Sequence, residues 1–137
     1  MSSIPKQTAA DARGSVRALG PSEAHWRIEH EPNTLVVDVR DADSTSATGL
    51  IPGALNVSLE ALHADRRASE EACDPLRADR SRPIIATCEF GPNGARGAML
   101  LKDMGFTEVH YIEGGMHAWI EAGLQTERPL GSRPSGD

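Results

Sequence analysis

Four short runs dense in β-branched and aliphatic residues constrain this chain more than any other feature. They are "LVVDVR" (35–40), "ALNVS" (54–58), "PIIATC" (83–88) and "EVHYIEG" (108–114). Each has the length and composition of a buried or half-buried strand and is too short for an ordinary helix. The stretches between them carry helical signals. Pro21, with Ser22 as N-cap, predicts a helix over "SEAHWRIEH", and Ser58 caps "LEALHADRR". "ASEEACDPLR" predicts a helical turn broken at Pro75, and "GARGAMLLKDMG" a helix stopped by Gly105. "GGMHAWIEAGL" places Met116, Trp119 and Ile120 on one face and ends at Gly123. Strand alternating with helix predicts an α/β domain, a central and mainly parallel sheet flanked by helices on both faces. Such sheets bind ligands beyond the carboxyl ends of their strands.

A chain of 137 residues, 39% of them hydrophobic, fits one core and therefore one site. Residues 1–18 and 128–137 are rich in Ser, Gly, Pro and charge without periodicity, which predicts a poorly ordered N-terminal segment and a flexible tail around a single domain at 19–127. A net charge of −6 and a pI near 5.3 argue against nucleic acid or an anionic membrane as partner. The "RADRSRP" cluster at 77–83 reads as a solvated connection. The first twenty residues lack the apolar stretch of a secretory signal, and no run approaches the ~18 apolar residues of a membrane span. A cytoplasmic protein with reduced thiols, a monomer or weak homodimer, is the expectation. Cys73 and Cys88 are too few for a disulfide framework, and no Cys/His spacing suggests zinc, so neither metal nor cofactor is expected. His25, His30, His63, His110 and His117 read as surface or half-buried residues.

Cys88 holds the position that matters, at the turn between the "PIIATC" strand and the helix that follows. The free N–H groups and positive end of that helix stabilise an anion there, whether a thiolate or a bound persulfide. Gly91 and Gly94 allow positive φ angles that turn N–H groups inward. Asn93 can cap the helix or adopt the left-handed conformation itself, and Pro92 stiffens the loop. The residues alone leave two readings, a nucleophile or a small buried hydrophobe. Cys73, in the polar "EEACDP", has no such loop.

Beyond these local signals the chain resembles the rhodanese-like domain family, sulfurtransferases that carry sulfur as a persulfide on a loop cysteine. The resemblance rests on "LVVDVRDADSTSATGLIPGALNVSLEAL", "PIIATCEFG", "LLKDMGFTEVHYIEGGMHAW" and "EAGL", over about residues 22–125. It implies that Cys88 accepts sulfur and that Glu89, Phe90, Gly91, Pro92, Asn93 and Gly94 form the loop around it. It further implies that Asp38 and Arg40 are a structural charged pair, that Gly49, Pro52 and Gly53 shape a turn, and that Gly114 and Gly115 open the last helix close to the sheet, with Trp119 in the core.

Three departures from the family pattern bear on chemistry. Many members place Arg and then Ser or Thr at the fifth and sixth residues after the cysteine, where this chain has Asn93 and Gly94. Arg96 is the nearest substitute, yet it lies only about 20° around a helix from Asp103, which predicts that both share the solvent face. Glu89 adds a negative side chain beside the cysteine, which would discourage a dianion such as thiosulfate. Elsewhere, Leu50 stands where the family often has His, a loss concerning local hydrogen bonding, and the Ser/Thr-rich segment from Asp41 to Gly49 predicts a weak or irregular helical turn.

The leading expectation is a sulfurtransferase that moves sulfane sulfur from a small donor to a thiol or other nucleophile, with a protein as one conceivable acceptor. Its donor would be a persulfide or thiol-bound sulfur in preference to thiosulfate. The alternative is a regulatory binding module that has kept the fold without turnover. Phosphatase or arsenate reductase chemistry ranks last, because phosphate would need Arg six residues after the cysteine and Gly94 stands there.

Overall fold

The computed structural model describes residues 16–67, 80–90 and 92–127. Strand and helix alternate through β1 (Arg17–Leu19), α1 (Pro21–His30), β2 (Leu35–Asp38), α2 (Ala42–Thr48) and β3 (Leu55–Asn56), then α3 (Leu59–Arg67), β4 (Ile84–Thr87), α4 (Pro92–Asp103), β5 (Val109–Ile112) and α5 (Gly115–Glu121). The five strands form one sheet in the order β1-β5-β4-β2-β3, every pair parallel. The expected α/β class and covered parallel sheet are therefore present. The expected disorder of 1–15 and 128–137, the broken turn at Pro75, Cys73 and Gly91 all lie outside the described residues.

Side chains alternate across each strand and so divide the core in two. Val37 and Ala86 pack with Leu62 of α3 and Ala98 and Leu101 of α4. On the opposite face Val36, Ile85 and Ile112 pack with Ala24 of α1 and Met116 and Trp119 of α5. Gly97 lets α4 lie close to the sheet, since a Cβ there would stand 2.8 Å from Val39 Cγ1. Gly105, at φ 109°, stops the turn after α4, as its position predicted.

Several local expectations differ. β1 was not foreseen, and its first two residues fall in the N-terminal segment expected to be poorly ordered. It gains its hydrogen bonds from β5, a partner far away in sequence. Ser22 is not the cap of α1; Gly20 is, with Pro21 as the first helical residue, where its missing N–H costs nothing. Ile120 is 43% exposed. Gly115, Met116 and Trp119 are buried, so the inward direction lies near Trp119 and Ile120, about 100° further round, falls on the flank. α2 is a regular seven-residue helix, because Asp41 caps it by accepting from Ser44 N–H at 3.0 Å. His110 is buried, 7% exposed, on β5, with Nε2 3.4 Å from Glu108. Arg80 and Arg82 are half-buried anchors: one guanidinium lies over the Phe106 ring and the other donates to the Asn33 carbonyl. Leu50 is buried and forms an antiparallel bridge with Glu127.

Candidate active site

Cys88 follows β4 directly, at the carboxyl edge of the sheet, and is 4% exposed. The strand delivers it there because Ile84, Ile85, Ala86 and Thr87 are all buried and locked in register with β2 on one side and β5 on the other. It lines a cleft of about 320 Å³ shared with Val39, Arg40, Asp41, Ser44, Ser58, Leu59, Glu60, Glu89 and Asn93. Helix α4 begins at Pro92, so its amino end faces this edge.

The chain runs past the cysteine under an unusual constraint. The N–H groups of Met116 and His117, in the first turn of α5, donate to the carbonyls of Cys88 and Glu89 at 2.7 and 3.0 Å. These N–H groups have no partner within their own helix, so the loop satisfies them and is held by them. The approach requires glycine at 115. Gly115 has φ 61°, and a Cβ there would stand 2.5 Å from the Cys88 carbonyl oxygen. The Gly114–Gly115 pair thus opens α5 close to the sheet, as expected, and its neighbour is the cysteine loop itself.

Arg40 is the organising cation. Its Nε donates to both oxygens of Asp38, at 3.0 and 3.2 Å, and Nη2 to Asp38 Oδ2 at 2.8 Å and the Gly49 carbonyl at 2.9 Å. Nη1 donates to Thr48 Oγ1 at 2.7 Å and Glu89 Oε1 at 3.3 Å, with the Ser44 carbonyl at 3.4 Å. Burial works against its charge, but the hydrogen bonds and attraction of Asp38, then of Glu89, outweigh it and leave the Arg40 pKa raised. Asp41, exposed at the rim, is held below the ordinary carboxylate value by the Ser44 N–H it accepts. Asp38 and Arg40 therefore form the charged pair the sequence implied, and Arg40 also ties the α2 segment to the residue after Cys88.

The other expected loop residues divide. Asn93 and Gly94 lie inside the first turn of α4, so Asn93 is neither a cap nor left-handed, and Gly94 lacks the positive φ foreseen for it. What Gly94 does is come close: a Cβ on it would lie 3.5 Å from Cys88 N and 3.6 Å from Sγ. Pro92 opens α4. Arg96 and Asp103 are both exposed, as their helical spacing predicted; from that solvent face Arg96 Nη1 also donates to Asn93 Oδ1 at 2.9 Å. Phe90, 62% exposed, projects outward and packs against the His117 ring at 5.2 Å. Sequence reasoning missed Asn56, Thr48 and Glu60. Asn56 Nδ2 donates to the carbonyls of Asp38 and Arg40 at 2.9 and 2.8 Å and fixes the chain at the end of β2. A polar residue within the apolar run "ALNVS" was the available signal. Among the described residues no cluster of three or more His, Cys, Asp or Glu is arranged to hold a metal, and no helix is long and apolar enough to cross a membrane.

A cysteine at the carboxyl end of a parallel strand, gripped from behind by one helix and facing the amino end of another, defines a cysteine-loop α/β domain. The chain belongs to the rhodanese-like domain family, whose sequence model matches residues 21–122. It is 34% identical over 87 residues to the thiosulfate sulfurtransferase GlpE of Shewanella oneidensis, covering 64% of this chain and 76% of that protein. It is 32% identical over 99 residues to the tRNA uridine(34) hydroxylase of a Synechococcus species, covering 71% of this chain but only 30% of that protein's length. Among solved structures, a Rhodopseudomonas palustris protein of unknown function, RPA3614, described as a possible tyrosine phosphatase, superposes with a TM-score of 0.74. It is 25% identical, with 91% of this chain and all of that one covered. Membership with sulfurtransferase relatives supports sulfur transfer as the family activity.

Proposed function

We propose that this protein is a sulfurtransferase that carries sulfane sulfur as a persulfide on Cys88. The observation that carries the reading is the place of Cys88, buried at the floor of an open cleft at the carboxyl edge of a parallel sheet and facing the start of α4. The Cys88 thiolate attacks the outer sulfur of the donor. A bond forms between Sγ and that sulfur, the donor's own bond to it breaks, and the leaving group, sulfite or a thiolate, departs with the electron pair. An acceptor thiolate then attacks the outer sulfur, and Cys88 leaves as thiolate. Nothing is oxidised or reduced overall, so no cofactor is called for.

In this reading Glu89, Phe90, Gly91, Pro92, Asn93 and Gly94 wrap the persulfide, while Asp38 and Arg40 keep the carboxyl edge in register and Arg96 steadies Asn93. A small donor and a thiol acceptor fit a cleft of this size; Phe90 is the group a protein acceptor would meet first. A phosphatase is the weaker reading: the position that would hold phosphate is Gly94, and Glu89 turns a carboxylate toward the cleft. A binding module without turnover is the other alternative.

Intact-protein mass spectrometry after incubation with thiosulfate and, separately, with glutathione persulfide tests the proposal. The expected result is a gain of about one sulfur atom, removed by reductant and absent in Cys88→Ser. No adduct from either donor would overturn it in favour of the binding module.

A further inference from the structure

Among the described residues Arg40 is the cation that lines the cleft, and its charge is already taken. Asp38 alone balances it, contacting Nε and Nη2 at 2.8 to 3.2 Å. Glu89 is therefore a second carboxylate on the same guanidinium, 3.3 Å from Nη1, and brings the sum over the three groups to one negative charge. The five N–H groups of an arginine are matched here by Asp38, Gly49, Thr48 and Glu89, with the Ser44 carbonyl as a further acceptor, so none remains for an anionic substrate. Glu89 is 45% exposed in its side chain and lines the cleft, so it meets an incoming molecule beside Cys88. Asp41 and Glu60 add two more carboxylates to the lining. Asn93 is uncharged, and the Arg96 guanidinium that donates to its Oδ1 is exposed, where solvent screens its charge.

We propose that Glu89, held over Arg40, is the specificity-determining residue of this cleft. It excludes donors whose negative charge sits next to the transferable sulfur, such as thiosulfate. It leaves the cleft to organic persulfides, which bring at most a single negative charge at that sulfur and can carry a cation beside it. This rests on the sulfurtransferase reading for the word donor, but the charge filter itself is a property of binding. Glutamine at 89 can still accept from Arg40 Nη1 while removing the charge, so the substitution isolates the electrostatic effect from the loop's geometry.

The test has a binding arm and a transfer arm. Inorganic sulfate, a dianion that cannot transfer sulfur, is titrated calorimetrically into Cys88→Ser and into Cys88→Ser/Glu89→Gln at low ionic strength. The double variant is expected to bind about tenfold more tightly, the scale of one charge acting on a dianion across a partly solvated cleft, with the difference shrinking as salt is added. In the transfer arm, the ratio of kcat/KM for thiosulfate to that for cysteamine persulfide is expected to rise about tenfold in Glu89→Gln, by the same charge removal. Equal sulfate affinities in the two Ser variants overturn the filter, whatever the rates do. A gain in sulfate binding with no sulfur on Cys88 from any donor upholds the filter and sinks the sulfurtransferase reading instead.

Discussion

The carbonyl oxygen of Cys88 lies 2.5 Å from the point that a Cβ on Gly115 would occupy. Any side chain at 115 must displace the backbone of the cysteine loop or of α5, and must also adopt φ near 61°. The obstacle is backbone, which cannot rotate away like the end of a side chain. Gly115→Ala is expected to cost roughly 2–4 kcal/mol, combining left-handed strain with the displaced contact. Urea denaturation measures this. Because the hydrogen bonds from Met116 and His117 to the loop would be broken, iodoacetamide labelling of Cys88 should also change rate in the fraction that still folds. A variant as stable as the parent would show that the loop is free to move.

Arg40 and Asp38 are both buried, so removing one partner strands the other. Arg40→Met should lose about 3–5 kcal/mol, the cost of leaving a buried charge without its pair. The double change Arg40→Met/Asp38→Leu should lose less than the sum of the single changes, since it leaves neither buried charge facing an empty partner site. A thermodynamic cycle over the four proteins gives the coupling directly; strict additivity would mean that the pair contributes no interaction energy.

Strands β2, β4 and β5 were legible because each pairs with neighbours through a dense β-branched core whose composition announces it. β1 was not, since "RAL" is three residues long and becomes a strand only through β5, which no local pattern encodes. The site divides in the same way. The cysteine's place at a strand end follows from chain order, and the pairing of Asp38 with Arg40 was implied by the family resemblance. The direction of Glu89 does not, because its partner Arg40 is 49 positions away and the sheet brings them together. Helical geometry placed Arg96 on the solvent face with Asp103, where both lie; it counts angles around the axis and says nothing of how far a long side chain reaches back along it toward Asn93.

Asp41 ties stability to pH. Its carboxylate accepts from Ser44 N–H in the folded protein, which lowers its pKa below the ordinary 3.8. The folded state therefore binds this proton less readily than the unfolded chain, and the cap's contribution is complete above the unfolded value and lost as pH falls through the folded one. Asp41→Asn keeps a capping oxygen that does not titrate. Thermal melts between pH 7 and pH 2.5 should show the wild type losing more stability than Asp41→Asn through this acid window. Parallel curves would remove Asp41 from the acid sensitivity of α2.

Gly94 separates what the fold prefers from what the cleft needs. It is a helical residue without positive φ, and alanine is favoured over glycine within helices by roughly 0.5–1 kcal/mol. The new methyl group would meet Cys88 N and Sγ at 3.5 and 3.6 Å, ordinary contact distances that demand no rearrangement. Gly94→Ala should therefore unfold at slightly higher urea than the wild type. The same methyl group covers part of the approach to Sγ, so iodoacetamide should alkylate Cys88 several-fold more slowly in the variant, and sulfur loading should slow with it. Faster or unchanged alkylation would place the route to Sγ on the side of Arg40 and Ser58, away from the amino end of α4.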